Sequence, residues 1–243
     1  MLILALDSTA VAASVAVTED DRLLALYNLN NGNTHSETLL PMVESIMTRL
    51  GRTIDDIDLF AASVGPGSFT GVRIGAATVK GLAFGRNKPC AAVSTLEALA
   101  ENLRGTARVG EIICPVMNAR RSQVYNALFL VTPDGLARTT EDRAIAIADL
   151  EAELVAMDVS PDKPAHLVGD GVTVTLKAAA DPAIFRPAPV LLRDQNAYSV
   201  AVCALRAAQA GQTVTDGELA PVYLRPCQAE RERMERLQAE QNA

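Results

Sequence analysis

The sequence predicts a two-lobed α/β fold in which one strand–helix pattern is used twice. Three observations carry that prediction. Short apolar runs that read as buried strands alternate with segments of helical periodicity. The alternation breaks at a polar passage, residues 104–110. After it the order strand, turn, strand begins again, so EIICPVMNARRSQVYNALFLV echoes LILALDSTAVAASVAV. With 243 residues the chain is long enough to bury two lobes of ordinary size.

In order, LILALDS is a strand apolar on both faces, AASVAVTED a second strand after a tight turn, and RLLALYNL a third. SETLLPMVESIMTRLG places Leu39, Val43, Ile46 and Leu50 at helical spacing, with Ser36 as a candidate cap and Gly51 as the stop. Pro41 is cheapest in a first turn, which leaves the start of that helix open. IDLFAASVG is a buried strand, SFTGVRIGAATVKGLAFG a helix, CAAVS a short extended piece and TLEALAENL a further helix. In the second half a third strand is expected near 136–143. IADLEAELVAM is helical, AHLVGDG a strand with a Gly turn, and VTVTLKAAA a helix despite its β-branched start. A Pro-rich passage over 185–190 leads into the long apolar helix AYSVAVCALRAAQAG and a terminal APVYLRP. Two strand–strand–strand–helix–strand–helix lobes with mixed, five-stranded-type sheets define the actin-like, ribonuclease H-like class (the ASKHA fold), in which a nucleotide cleft lies between lobes. The expected division is 1–104 and 105–243, with the helix near 196–210 packing back on the first lobe.

Composition excludes several functions. Apolar residues make up 49% and the mean hydropathy is +0.15. No run reaches the roughly 18 apolar residues of a membrane span. MLILALD lacks a basic leader and is interrupted by Asp7, so a cytoplasmic location is expected. Cys90, Cys114, Cys203 and Cys227 are widely spaced, which predicts reduced thiols rather than a zinc site or a disulfide framework. There are 22 basic and 29 acidic residues, a formal charge of −7, and the tail ERERMERLQAE alternates signs like a solvated helix. Unaided nucleic-acid binding is not expected of such a chain.

The stretch SVGPGSFTGVRIG holds the densest glycines. It fits neither the P-loop nor the dinucleotide fingerprint, and Ser68 follows Gly67 directly, which breaks the nucleophile-elbow frame. Ser68 can cap the helix, and the first turn's free N–H groups can receive an anion. Gly71 and Gly75 lie four apart, as do Ala77, Gly81 and Gly85. Helix glycines cost about 1 kcal/mol each, so close packing, most simply of another helix, is favoured over phosphate binding. Asp7, Ser8 and Thr9 end the first strand. In an actin-like fold an acid there holds a metal–phosphate through water; the plain alternative is an Asx turn. With Gly65, Gly67 and Ser68 they are the candidate vestigial nucleotide-binding residues. The matching place in the second half is Asn118, a poorer cation ligand. Only His35 and His166 are present, with no HxxxH or HExxH, so no catalytic or metal constellation is indicated.

ILALDSTAVAASVAV, THSETLLPMVESIM, SVGPGSFTGVRIGAATVKGLA, VSTLEALA, NARRSQVYNALF and PVYLRP together resemble the bacterial TsaB (YeaZ) family over nearly the whole chain, most closely through residue 99. The resemblance implies a non-catalytic subunit needed for N6-threonylcarbamoyladenosine at position 37 of tRNAs that read codons beginning with A. It implies no cofactor, a paralogous partner TsaD that performs the transfer, a further partner TsaE (an ATPase), and a homodimer when TsaD is absent. RNA would be met only through that complex. It also implies that the first-lobe helices make the contact, here His35, Leu39, Leu40, Val43, Ile46 and Met47 with Val72, Arg73, Ala76 and Val79. Relatives commonly carry Asp and Glu where this chain has Asn118 and Gln123. The alternative reading is an actin-fold enzyme that binds and turns over nucleotide by itself.

Overall fold

The computed structural model describes residues 1–32 and 34–225; Cys227 and the charged tail from Glu230 lie outside them. The first half builds β1 (Leu2–Asp7), β2 (Ala13–Glu19), β3 (Arg22–Leu29), α1 (His35–Leu50), β4 (Leu59–Gly65), α2 (Phe69–Ala83), β5 (Cys90–Ser94) and α3 (Thr95–Glu101). Its sheet runs β3-β2-β1-β4-β5. The first three strands are antiparallel hairpin neighbours, and β4 and β5 join in parallel. Parallel neighbours need a crossover, which α1 and α2 provide.

The second half builds β6 (Ile112–Asn118), β7 (Gln123–Asn126), β8 (Phe129–Thr132), β9 (Gly135–Arg138), β10 (Arg143–Ala146), α4 (Ile147–Ala156), β11 (Ala165–Val168), α5 (Val172–Ala178), β12 (Phe185–Pro187), α6 (Val190–Arg193) and α7 (Ala197–Gln209). The order β10-β7-β6-β11-β12 repeats that of the first sheet, with the same parallel and antiparallel senses. The expected duplication is therefore present strand for strand.

Both central strands are buried on both faces, and each sheet is covered twice. Leu2, Leu4 and Leu6 face α1 and α2, while Ile3 and Ala5 face Val200, Ala201 and Ala204 of α7. Cys114, Val116 and Leu167 face Leu150 and Leu154 of α4; Ile113 and Met117 face Leu96 and Leu99 of α3. Side chains of α3 and α7 also meet each other. There Arg206 bonds Glu101 at 2.7 Å, and Glu101 is only 7% exposed. Cys90, Cys114 and Cys203 are free and buried, and burial pushes the Cys90 thiol up to about 11 and Cys114 to about 12.

The structure corrects three local expectations. The repeat's third strand is β10, which only begins at Arg143; the expected segment near 136–143 starts instead in β9, the outer arm of a hairpin with β8. β7 and β8 are one strand in constant register against β6, interrupted opposite Cys114 and Pro115. Pro115 has no N–H for the ladder, and the Asn126 amide donates instead to the Pro115 carbonyl at 3.0 Å. Finally, α1 starts at His35 with Thr34, not Ser36, at its N-cap, so Pro41 sits in the second turn. The acceptor deprived by Pro41 is the Glu37 carbonyl, and both residues are exposed. The C-cap Gly51 is left-handed as expected, with φ 62°.

Candidate functional site

Two neighbouring places on the first lobe concentrate chemistry: the turn at the end of β1, which opens on the cleft between lobes, and the outer surface of α1 and α2. At the first, Asp7 is 1% exposed and its oxygens are already taken. The Thr9 N–H and hydroxyl donate to Oδ1 at 2.9 and 2.7 Å, and the Ser63 hydroxyl donates to Oδ2 at 2.5 Å. Burial raises the Asp7 carboxyl above its ordinary value in spite of those donors. The arrangement is an Asx turn, and Asn118 repeats it by accepting from the Arg120 N–H at 2.9 Å. A magnesium–nucleotide, the group such folds hold, needs an anionic and accessible carboxylate here. Asp7 is sealed and Asn118 is neutral, so these residues do not fit it.

The glycines explain how the turn is sealed. A Cβ on Gly71 would stand 2.0 Å from the Ser8 carbonyl oxygen, one on Gly75 2.6 Å from its hydroxyl, and one on Gly67 2.5 Å from the Thr9 carbonyl. The Ser8 hydroxyl also donates to the Gly71 carbonyl at 2.9 Å. Close packing was the favoured expectation, but what approaches is the β1–β2 turn, not a second helix. Ser68 caps α2 as expected, accepting from the Gly71 N–H at 3.3 Å. His35 ties α1 to the same turn through the Ala10 carbonyl at 2.7 Å.

Sequence reasoning missed the strap that follows α7. Val214 exchanges both backbone bonds with Cys90, and the Val222 N–H donates to the Val64 carbonyl at 2.7 Å. Gly65, at φ 121°, leaves room for the Val222 carbonyl, which would stand 2.5 Å from a Cβ. Tyr223 stacks on Phe69 at 4.7 Å and accepts from Arg73 at 2.7 Å. Arg225 then reaches the second lobe, donating to the Ala119 carbonyl at 2.9 Å with its guanidinium 5.8 Å from the Tyr125 ring centre. Only the short signal PVYLRP hinted at this, and it carries no periodicity. Thr9, Gly67, Ser68, Phe69, Asn118, Arg120, Tyr125, Asp170 and Arg225 line the resulting cleft of about 570 Å³.

The second place needs a correction. Leu39, Val43, Ile46 and Met47 of α1 and Val72, Ala76 and Val79 of α2 are buried in the molecule's own core. The apolar stripe of a sheet-covering helix faces its sheet, so Leu39, Ile46, Val72, Ala76 and Val79 are not available as a surface, whereas Val43 and Met47, though nearly buried, still line the floor of an outer groove. What α1 and α2 show to solvent is Leu40, 53% exposed, with Arg73, Ala77, Gly81 and, just past the end of α2, Phe84 at 75%. Leu40, Glu44, Thr48, Ile54 and Leu82 border an apolar groove of about 370 Å³ beside them. Gly81 lies in this face with nothing near the place its Cβ would take.

Topology and cleft define a protein of the two-lobed, ribonuclease H-like α/β class with actin-type duplication. A family model described as TsaD, tRNA N6-adenosine threonylcarbamoyltransferase, matches residues 30–219. The tRNA threonylcarbamoyladenosine biosynthesis protein TsaB of Escherichia coli is 34% identical over 233 residues, 93% of this chain and 95% of that protein. The Bacillus subtilis protein of the same name is 34% identical over 61% of this chain and 64% of its own length. YeaZ from Pseudomonas aeruginosa superposes with a TM-score of 0.76 at 27% identity, over 92% of this chain and 99% of that one. The chain belongs to the TsaB (YeaZ) family.

Proposed function

We propose that this chain is an accessory, non-catalytic subunit for threonylcarbamoyladenosine formation on tRNA, docking a TsaD-type transferase through the outer face of α1 and α2. A TsaE-type ATPase completes the assembly, which acts in the cytoplasm, and without TsaD the same face pairs two copies of this chain. The observation that carries the reading is Gly81. An interior helix glycine costs about 1 kcal/mol relative to alanine. At Gly71 and Gly75 the chain's own turn offsets that cost; at Gly81 nothing in the described residues does. A helix approaching from another molecule would, with Phe84 and Leu40 supplying apolar area beside it.

Gly81→Gln and Leu40→Glu test this, since both side chains project outward and leave the core untouched. Leu40→Glu is expected to unfold within a degree or two of the wild-type temperature and Gly81→Gln at or a few degrees above it. Each is expected to lose co-elution with a tagged TsaD-type partner and to fail in reconstituted modification. Retention of the complex by both would overturn the docking face. Val72→Glu or Ala76→Arg cannot serve, because each places a charge in the core and unfolds the chain.

A further inference from the structure

The chain is acidic overall, yet the mouth of its interlobe cleft is not. Arg120 and Arg225 both line the cleft, Arg225 reaching across to the Ala119 carbonyl beside Arg120, and Arg121 follows at the tip of the β6–β7 hairpin. Among the described residues, no carboxylate pairs with any of the three. Asp170 is, among the described residues, the one carboxylate lining the cleft, and burial pushes it toward its neutral form, while the Asn118 N–H only partly opposes this. A partly buried guanidinium such as Arg225, without a counter-charge, is an anion site in waiting. The tip is also costly: Arg120, Arg121 and Ser122 take successive left-handed conformations, φ 62°, 54° and 56°, where glycine or asparagine would be cheaper.

Aromatic faces stand among these charges. Tyr125 lies under Arg225, and Phe69, which also lines the cleft, stacks with the 41%-exposed Tyr223. Guanidinium groups and ring faces gathered at one cleft suit a phosphodiester chain whose bases are unstacked. A magnesium-bound free nucleotide shares the phosphate chemistry, but it needs a carboxylate seat at the floor, and Asp7 is closed there. The charges instead sit at the rim, where Arg120 and Arg121 are exposed and a strand can pass from one lobe to the other.

We propose that the cleft mouth formed by Arg120, Arg121, Arg225, Tyr125 and the Phe69–Tyr223 pair binds an unpaired RNA segment directly. This deepens the proposed role in tRNA modification and rests on it only for the choice of RNA. The phosphates lie against the arginines and the bases against the rings, so RNA is met by this subunit as well as by its partner.

The test is fluorescence anisotropy of the full-length protein with a labelled RNA hairpin carrying an unpaired loop, and with a fully paired duplex, at about 50 and about 200 mM salt. The hairpin is expected to bind more tightly than the duplex. Arg120→Asn and Arg121→Asn suit the left-handed backbone and so keep the fold. Each is expected to weaken binding several-fold and to lower the salt slope by roughly 0.7, one phosphate contact each. Arg186→Ala removes an exposed charge from β12 and is expected to change nothing. Absence of RNA binding at the lower salt overturns the proposal, as does an equal loss in Arg186→Ala. Displacement of RNA by magnesium–ATP, with Arg120→Asn losing both, also overturns it and assigns the cleft to free nucleotide. Reconstituted modification is measured alongside. Full support of modification with no RNA binding sinks this inference alone, whereas RNA binding without support of modification sinks the accessory reading instead.

Discussion

Three glycines of α2 face different surroundings, and the same change has a calculable effect at each, stabilising at one and destabilising at two. Glycine to alanine in a helix interior stabilises by about 1 kcal/mol when the new methyl meets nothing. Gly81→Ala meets nothing and, lying in the last turn of α2, is expected to show up to that gain, raising the melting temperature by at most roughly 2–4 °C for a chain of this size. Gly75→Ala places a Cβ 2.6 Å from the Ser8 hydroxyl, which must leave its bond to the Gly71 carbonyl. Losing a buried hydrogen bond costs about 1–3 kcal/mol and overpacking a similar amount. Set against the propensity gain, the net loss is about 3 kcal/mol. Gly71→Ala stands 2.0 Å from a backbone oxygen that has no rotamer to escape into, and the loss is larger still. Urea unfolding of the three purified variants, extrapolated to low chain concentration so that self-association drops out, gives the order directly. A stabilised Gly75→Ala, or a Gly81→Ala that destabilises the dilute protein, would refute the packing account of this helix.

Two further outcomes follow from buried charges. Because burial raises Asp7, its protonated form favours the folded state, so its contribution is full below the ordinary carboxylate range and is lost as pH rises through the folded value. Asp7→Asn should remove that trend, so the stability advantage of wild type over the variant grows as a urea series moves from pH 7 toward pH 4; a constant difference would show Asp7 to be silent. Arg206→Met leaves the nearly buried Glu101 with Arg104 alone, at 3.2 Å, and should cost about 1–3 kcal/mol in the same assay. An unchanged unfolding midpoint would show the pair to be idle.

The parts legible in the sequence are those set by local rules. Strand alternation, the serine cap of α2 and the glycine stop of α1 depend on residues within a few positions of each other, and each is where the pattern puts it. The duplication was legible because the two central strands carry the same two-faced apolar signature. Periodicity shows that a helix has an apolar stripe, but not what the stripe faces. Leu39 and Val72 therefore belong to the core, while the surface carries Gly81, whose cost in a helix the string does show, and Phe84, which nothing in the string marks. The cleft was hidden for a different reason. Arg225 and Tyr125 are a hundred residues apart, and they meet only because the strap crosses from Val64 to Ala119. Pro115, which splits the β7–β8 strand, acts across the sheet rather than along its own chain.

The cover provided by α7 bears on how the polypeptide is made. Ile3, Ala5, Leu59 and Ala61 leave the ribosome long before the side chains that cover them, Val200 to Ala204, are made. Until then the nascent first sheet presents an oily face to solvent, so chaperone capture of stalled chains should fall off sharply once α7 has cleared the exit tunnel.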